Sequence, residues 1–233
     1  YIPSLGLLIA LAGMFAKFSV LSLNAPTNRE LANMKHITLA TIFIAIIVPM
    51  GIASSNQARI WHNNDSLYQH VLSLYPNSHV ALNNLGMVEW RDRNNRERAK
   101  QYFEKALRSH PTYPMAHRNL GMIYHEEQRL DDAVLAYRES LALRPRQADV
   151  WFNLATIYGQ RREYGKAEMA YLHVIDIEPT RQAAYLNLGA VYHLSGQPGK
   201  EIALYQQALG VDENFVSVAR NLEVALRDLE GVQ

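Results

Sequence analysis

Residues Asn119 to Pro145 read NLGMIYHEEQRLDDAVLAYRESLALRP, and the opening triplet comes back along the chain in near copies. It stands as Asn84-Leu85-Gly86, Asn119-Leu120-Gly121, Asn153-Leu154-Ala155, Asn187-Leu188-Gly189 and Asn221-Leu222-Glu223, at steps of 35, 34, 34 and 34 residues. A fixed period of that size is the mark of stacked structural repeats.

Aligning the triplets aligns the positions around them. Tyr124, Tyr158 and Tyr192 follow the small residue by three places, Ala99, Ala133 and Ala167 open a second pattern, and Phe103, Tyr137, Tyr171 and Tyr205 recur within it. A proline closes each unit at Pro76, Pro111, Pro145 and Pro179. The logic is that of a helical hairpin. Small side chains let two helices approach, aromatic ones fill the space between, and proline stops the second helix.

This spacing and residue set resembles the tetratricopeptide repeat. The resemblance implies an all-α solenoid with four repeats over 79–213, at 79–111, 114–145, 148–179 and 182–213. A junction and half-repeat helix (56–78, with Tyr68 in the aromatic position) precedes them. A capping helix (214–233) follows, in which Glu223 replaces the small residue. The first repeat carries one extra residue near Asn94-Asn95. The fourth has Glu201 in the alanine position, after Pro198-Gly199, which leaves the start of its second helix open by about a turn.

The 233 residues sum to a formal charge of +1, but the charge is unevenly spread. The first 55 residues hold only Lys17, Arg29, Glu30 and Lys35, and the remaining 178 hold 20 basic and 21 acidic residues. So balanced a repeat region argues against nucleic acid as a partner, since that needs a basic stripe. The lack of cysteine excludes disulfides and thiolate metal sites.

Residues 1–55 read instead as two transmembrane helices, and the lipid bilayer as their partner. Residues 2–23 contain one charge, and residues 37–53 contain none over 17 residues, about 26 Å of helix. Arg29 and Lys35 in the connecting loop (24–36) place that loop on the cytoplasmic side. The repeats are then expected on the opposite face, the periplasmic side of a bacterial inner membrane, in a multi-pass membrane protein. Tyr1 in place of an initiator Met suggests that a multi-span region upstream is missing from the sequence.

Candidate chemistry is sparse. His125-Glu126-Glu127 lacks the second histidine of a zinc-protease helix, and Asp131-Asp132 suits a helix N-terminus. Gly196-Gln197-Pro198-Gly199 is a turn without the lysine of a phosphate loop. No catalytic residue, metal site or cofactor is called for. The asparagine ladder is the more informative feature. In tetratricopeptide proteins its position faces the concave groove, where Asn84, Asn119, Asn153, Asn187 and Asn221 could offer a donor and an acceptor to a protein or peptide ligand. The alternative is that these amides satisfy neighbouring groups of the fold. Trp90, Arg118, His125 and Phe152 complete the expected groove, with Met87, Met122 and His193 nearby. Asn83 and Asp149 stand where a carboxylate clamp needs lysines, which speaks against chaperone C-termini as ligands.

Tyr1-Ile2-Pro3-Ser4-Leu5-Gly6, together with Arg59 and Trp61 after the second span, resembles a family of transmembrane-and-tetratricopeptide O-mannosyltransferases and their glycosyltransferase relatives. That resemblance implies a full-length parent using a polyprenyl-phosphate-linked sugar, with an acidic base in an external loop absent here. The repeats would be a non-catalytic arm that docks the acceptor protein or a partner. The alternative is a membrane-anchored scaffold of an envelope or polysaccharide-export complex, without transferase activity.

Overall fold

The computed structural model describes residues 47–50 and 64–231. The chain divides into two compact units, residues 1–70 and 71–233. In the first, the described residues are helical: 47–50, and 64–70 at the start of α1 (Asn64–Leu74). The two predicted membrane spans lie outside the described residues, apart from 47–50. Among the described residues no helix is long and apolar enough to cross a membrane.

The second unit is a run of antiparallel helix pairs. They are α2 (His79–Arg91) with α3 (Arg96–Ser109), α4 (Pro114–Glu126) with α5 (Leu130–Leu143), α6 (Ala148–Gln160) with α7 (Tyr164–Ile177), and α8 (Gln182–Leu194) with α9 (Pro198–Val211). A last helix, α10 (Val216–Gly231), packs on α9 and α8. No strand occurs among the described residues.

The pairing within each hairpin follows from one close approach. A β-carbon built on Gly86 would lie 2.5 Å from the Phe103 ring, and one on Gly121 would lie 2.6 Å from the Tyr137 ring. At Gly189 it would run into the Tyr205 hydroxyl. The aromatic side chain of the second helix therefore rests on the bare backbone of the first. The third hairpin keeps a methyl at Ala155 and places the Tyr171 hydroxyl 3.2 Å from Thr156 Oγ1. Phe103, Tyr137, Tyr171 and Tyr205 are buried, as are Ala99, Ala133 and Ala167 beside the first three of them.

Turns between paired helices also repeat. Asn94, Gln128, Arg162 and Gly196 each adopt positive φ, from 51° to 68°, so glycine occupies only one of four left-handed sites. The extra residue of the first turn is absorbed there, and Asn95 then caps α3 through Arg98 N at 3.1 Å. The α9 helix starts at Pro198, with proline in its first turn where no amide donor is needed. Glu201, buried in the alanine position, meets His193 Nδ1 at 3.3 Å.

Links between hairpins run through proline carbonyls as well. His117 Nε2, the Trp151 indole N–H and the Tyr185 hydroxyl each lie 2.9 Å from the carbonyl oxygen of Pro111, Pro145 and Pro179 respectively. Three different side chains at one repeat position thus tie a first helix to the end of the preceding hairpin.

Gly121→Ala should lower stability by about 1–3 kcal/mol, the usual range for overfilling a packed site. Gly165→Ala, with nothing within 4 Å of the added carbon, should be neutral or gain up to about 1 kcal/mol. Urea unfolding of the two variants checks this, and equal effects would contradict the close-approach account.

Candidate functional site

Four of the five ladder asparagines are engaged by the fold, each in a way set by its neighbour. Asn153 Nδ2 donates to the Tyr137 hydroxyl at 3.3 Å. Asn187 and Asn221 face the hydroxyls of Tyr171 and Tyr205 in the same relation and favour the ionised forms of those tyrosines. The residue corresponding to these tyrosines in the first hairpin is Phe103, which has no hydroxyl. There Asn119 turns to Asn83 instead, donating through Nδ2 to Asn83 Oδ1 at 2.9 Å, with both residues buried. Asn84 is half-buried on α2.

The other expected groove residues separate into packed and accessible ones. Trp90 is buried, and its indole N–H donates to Glu126 Oε2 at 3.3 Å, an oxygen that also accepts from Arg96 Nε at 2.8 Å. Phe152 is half-buried, edge-on to Tyr171 with ring centres 5.6 Å apart. The Arg181 guanidinium lies 4.5 Å from its centroid and pairs with Asp149 at 2.8 Å. Asp149, opposite in sign to a clamp lysine, is thereby used within the fold. His125 is half-buried, and loss of hydration holds its pKa below the usual imidazole range, against the opposing charge of Glu126. Arg118 is half-buried and sits beside Asn119.

Two neighbouring clefts open on the first-helix face. One, of about 230 Å³, involves Thr156, Tyr171, Asn187, Ala190 and Leu194 between α6 and α8. The other, of about 370 Å³, involves Leu186, Ala190, Leu194, Tyr205, Asn221 and Val224 between α8 and α10. Ala190 and Leu194 line both, and Leu194 is 66% exposed. Sequence reasoning left out Thr156, Ala190 and Val224. Their signal was present, because each follows a ladder asparagine by three residues, at the position of Met87 and Met122. The Asn187 and Asn221 side chains contribute to these cleft walls while also facing the tyrosines beneath them.

With this geometry in view, comparison with known proteins gives a consistent answer. Three tetratricopeptide-repeat family models match residues 83–148, 136–169 and 182–215, together spanning more than half of the chain. The chain belongs to the tetratricopeptide-repeat family. Among solved structures it is similar to the crystal structure of MamA, with a TM-score of 0.59 and 25% identity over 69% of this chain and 95% of that one. Similarity to PilF of Pseudomonas aeruginosa gives a TM-score of 0.55 and 26% identity over 66% and 70% of the two chains. YrrB, described as a TPR protein with an unusual peptide-binding site, matches with a TM-score of 0.61 and 15% identity over 70% and 84%. At that identity the likeness concerns the fold alone. A search of curated protein sequences finds no match.

The buried phenols carry a pH dependence. Burial first, then the hydrogen bond to Glu168 and the charge of that carboxylate, push the Tyr192 pKa up to about 12. Burial likewise raises Tyr137, Tyr171 and Tyr205, and the amides of Asn153, Asn187 and Asn221 oppose the rise. A phenol whose folded pKa exceeds its unfolded value contributes stability in full below the unfolded pKa and loses it as pH rises through the folded one. Urea stability should therefore fall as pH rises from about 10 to about 12, and Tyr192→Phe should flatten part of that fall. A pH-independent urea midpoint across this window would contradict the burial of these hydroxyls.

Proposed function

We propose that the first-helix face of α4, α6, α8 and α10 binds an extended segment of a partner protein. One observation carries this reading: two adjoining clefts share exposed apolar side chains, among them Leu194, on the wall where the half-buried amides of Asn187 and Asn221 also stand. Such a wall suits a chain that inserts side chains into the clefts and leaves its backbone within reach of amides. Protein or peptide recognition is common to tetratricopeptide repeats, and the peptide-binding site described for YrrB agrees with it.

The repeats act, in this reading, as the docking arm of a membrane-embedded glycosyltransferase-like protein, on the non-cytoplasmic side. Support comes from the two apolar stretches, the basic loop between them and the Tyr-Ile-Pro-Ser-Leu-Gly junction. The docked segment would belong to the acceptor or to a partner, presented beside the membrane.

Photo-crosslinking amino acids placed at Thr156 and Ala190 should capture one partner through a single mapped segment, while the exposed Arg138 on α5 should not. Equal capture from all three would contradict the groove. The chain has no cysteine, so Ser195→Cys gives a unique label. A membrane-impermeant thiol reagent should reach it once the outer membrane is opened. Labelling only after lysis of the inner membrane would contradict the sidedness.

A further inference from the structure

Arg118 is the residue of this face that the rest of the fold leaves unexplained. Three arginines among the described residues are half-buried: Arg118, Arg161 and Arg181. The other two are held by carboxylates, Arg161 by Asp131 at 2.7 Å and Arg181 by Asp149 at 2.8 Å. Arg118 has no carboxylate partner among the described residues. Its Nε is enclosed and makes no hydrogen bond, and its one polar contact is NH2 to Asn119 Oδ1 at 3.5 Å, a distance at which little is gained. Part of this guanidinium is thus withdrawn from water with no anion beside it, and an arriving anion would be stabilised there.

The position of the side chain indicates what would pair with it. Arg118 lies on α4 one residue before the ladder asparagine, the same register that Phe152 and Leu186 occupy on α6 and α8. The chain that fills the clefts would cross this register on each first helix in turn. Glu126 on the same helix is committed to Arg96 at 2.8 Å, and Asp149 on α6 to Arg181 at 2.8 Å. A guanidinium offers planar, paired donors that match a carboxylate.

We infer that Arg118 recognises an aspartate or glutamate side chain of the docked segment, so that the ligand carries an acidic residue followed or preceded by apolar ones. The inference rests on the groove reading above. It commits to a side-chain carboxylate and not a chain terminus, because the α2–α3 hairpin lies beyond α4 and carries the same face onward to Met87 and Asn84. The acidic residue is thus expected within a segment that continues on both sides.

The test is selection of a phage-displayed random dodecapeptide library against the full chain, followed by binding measurements on synthetic versions with both ends blocked. The selected pool should be enriched in Asp or Glu at a fixed offset from apolar residues. Arg118→Met should weaken binding of such a peptide by about tenfold or more. Replacing the peptide's acid by its amide should weaken binding to the wild type similarly, yet have little further effect on the variant. Arg118→Met should keep the helical circular-dichroism spectrum and melt no lower than the wild type, since it removes an unpaired charge. Peptides that bind the wild type and R118M alike, or that lack the acid, would overturn the inference and leave the groove standing. Binding only of peptides with a free C-terminus would overturn the side-chain assignment. Selection of no peptide at all would overturn the groove reading and the inference together.

Discussion

Three of the four hairpins in this array hang on an aromatic ring lying against a backbone that has no side chain in the way, and the third hairpin allows only the methyl of Ala155. Where Gly86, Gly121 and Gly189 face Phe103, Tyr137 and Tyr205, a single added carbon would come within 2.5–2.6 Å of ring atoms or closer. The glycine gives up some helix propensity to allow it, roughly 1 kcal/mol per site. What is gained is a large apolar surface buried at the centre of each hairpin, together with a hydroxyl carried through the hairpin to its far side. That hydroxyl meets the asparagine of the next repeat, as the bond from Asn153 to Tyr137 shows. A single side chain therefore fixes the packing within one unit and the contact to the following one.

The arrangement explains why the five asparagines are not equivalent despite their equal spacing. A tyrosine beneath gives the amide a partner on the preceding hairpin and leaves the remainder of the side chain on the cleft wall. A phenylalanine beneath removes that partner, and Asn119 pairs with Asn83 in a buried contact instead. The same atom that separates Phe from Tyr thus decides which amides remain at the surface. The first-helix face of α4 presents a half-buried arginine where α6 and α8 present phenylalanine and leucine.

Much of this was legible before any coordinates, because the period, the small residues and the aromatics are local consequences of helix-on-helix contact. The repeat identity and the all-α array followed from them. The fate of the asparagines did not, since a list of positions says which residues share a register but not which hydrogen-bond partner sits below each one. Trp90 shows the same limit. Its position suggested a groove wall, yet it is buried, and its indole N–H is taken by Glu126, 36 residues away in sequence. The proline-carbonyl ties were hidden for a different reason, because His117, Trp151 and Tyr185 share a role without sharing a side-chain type. The apolar stretches at 2–23 and 37–53 stand outside the described residues apart from 47–50, so their reading rests on composition and charge.

The most direct measurement is a double-mutant cycle on Tyr137 and Asn153, using Tyr137→Phe, Asn153→Ala and the pair, read by urea unfolding. Passage of the fold's order from one hairpin to the next through hydroxyl and amide predicts a coupling energy of about 0.5–1.5 kcal/mol between them. Two losses that simply add would contradict it, and would return the ladder to the surface as a set of independent amides.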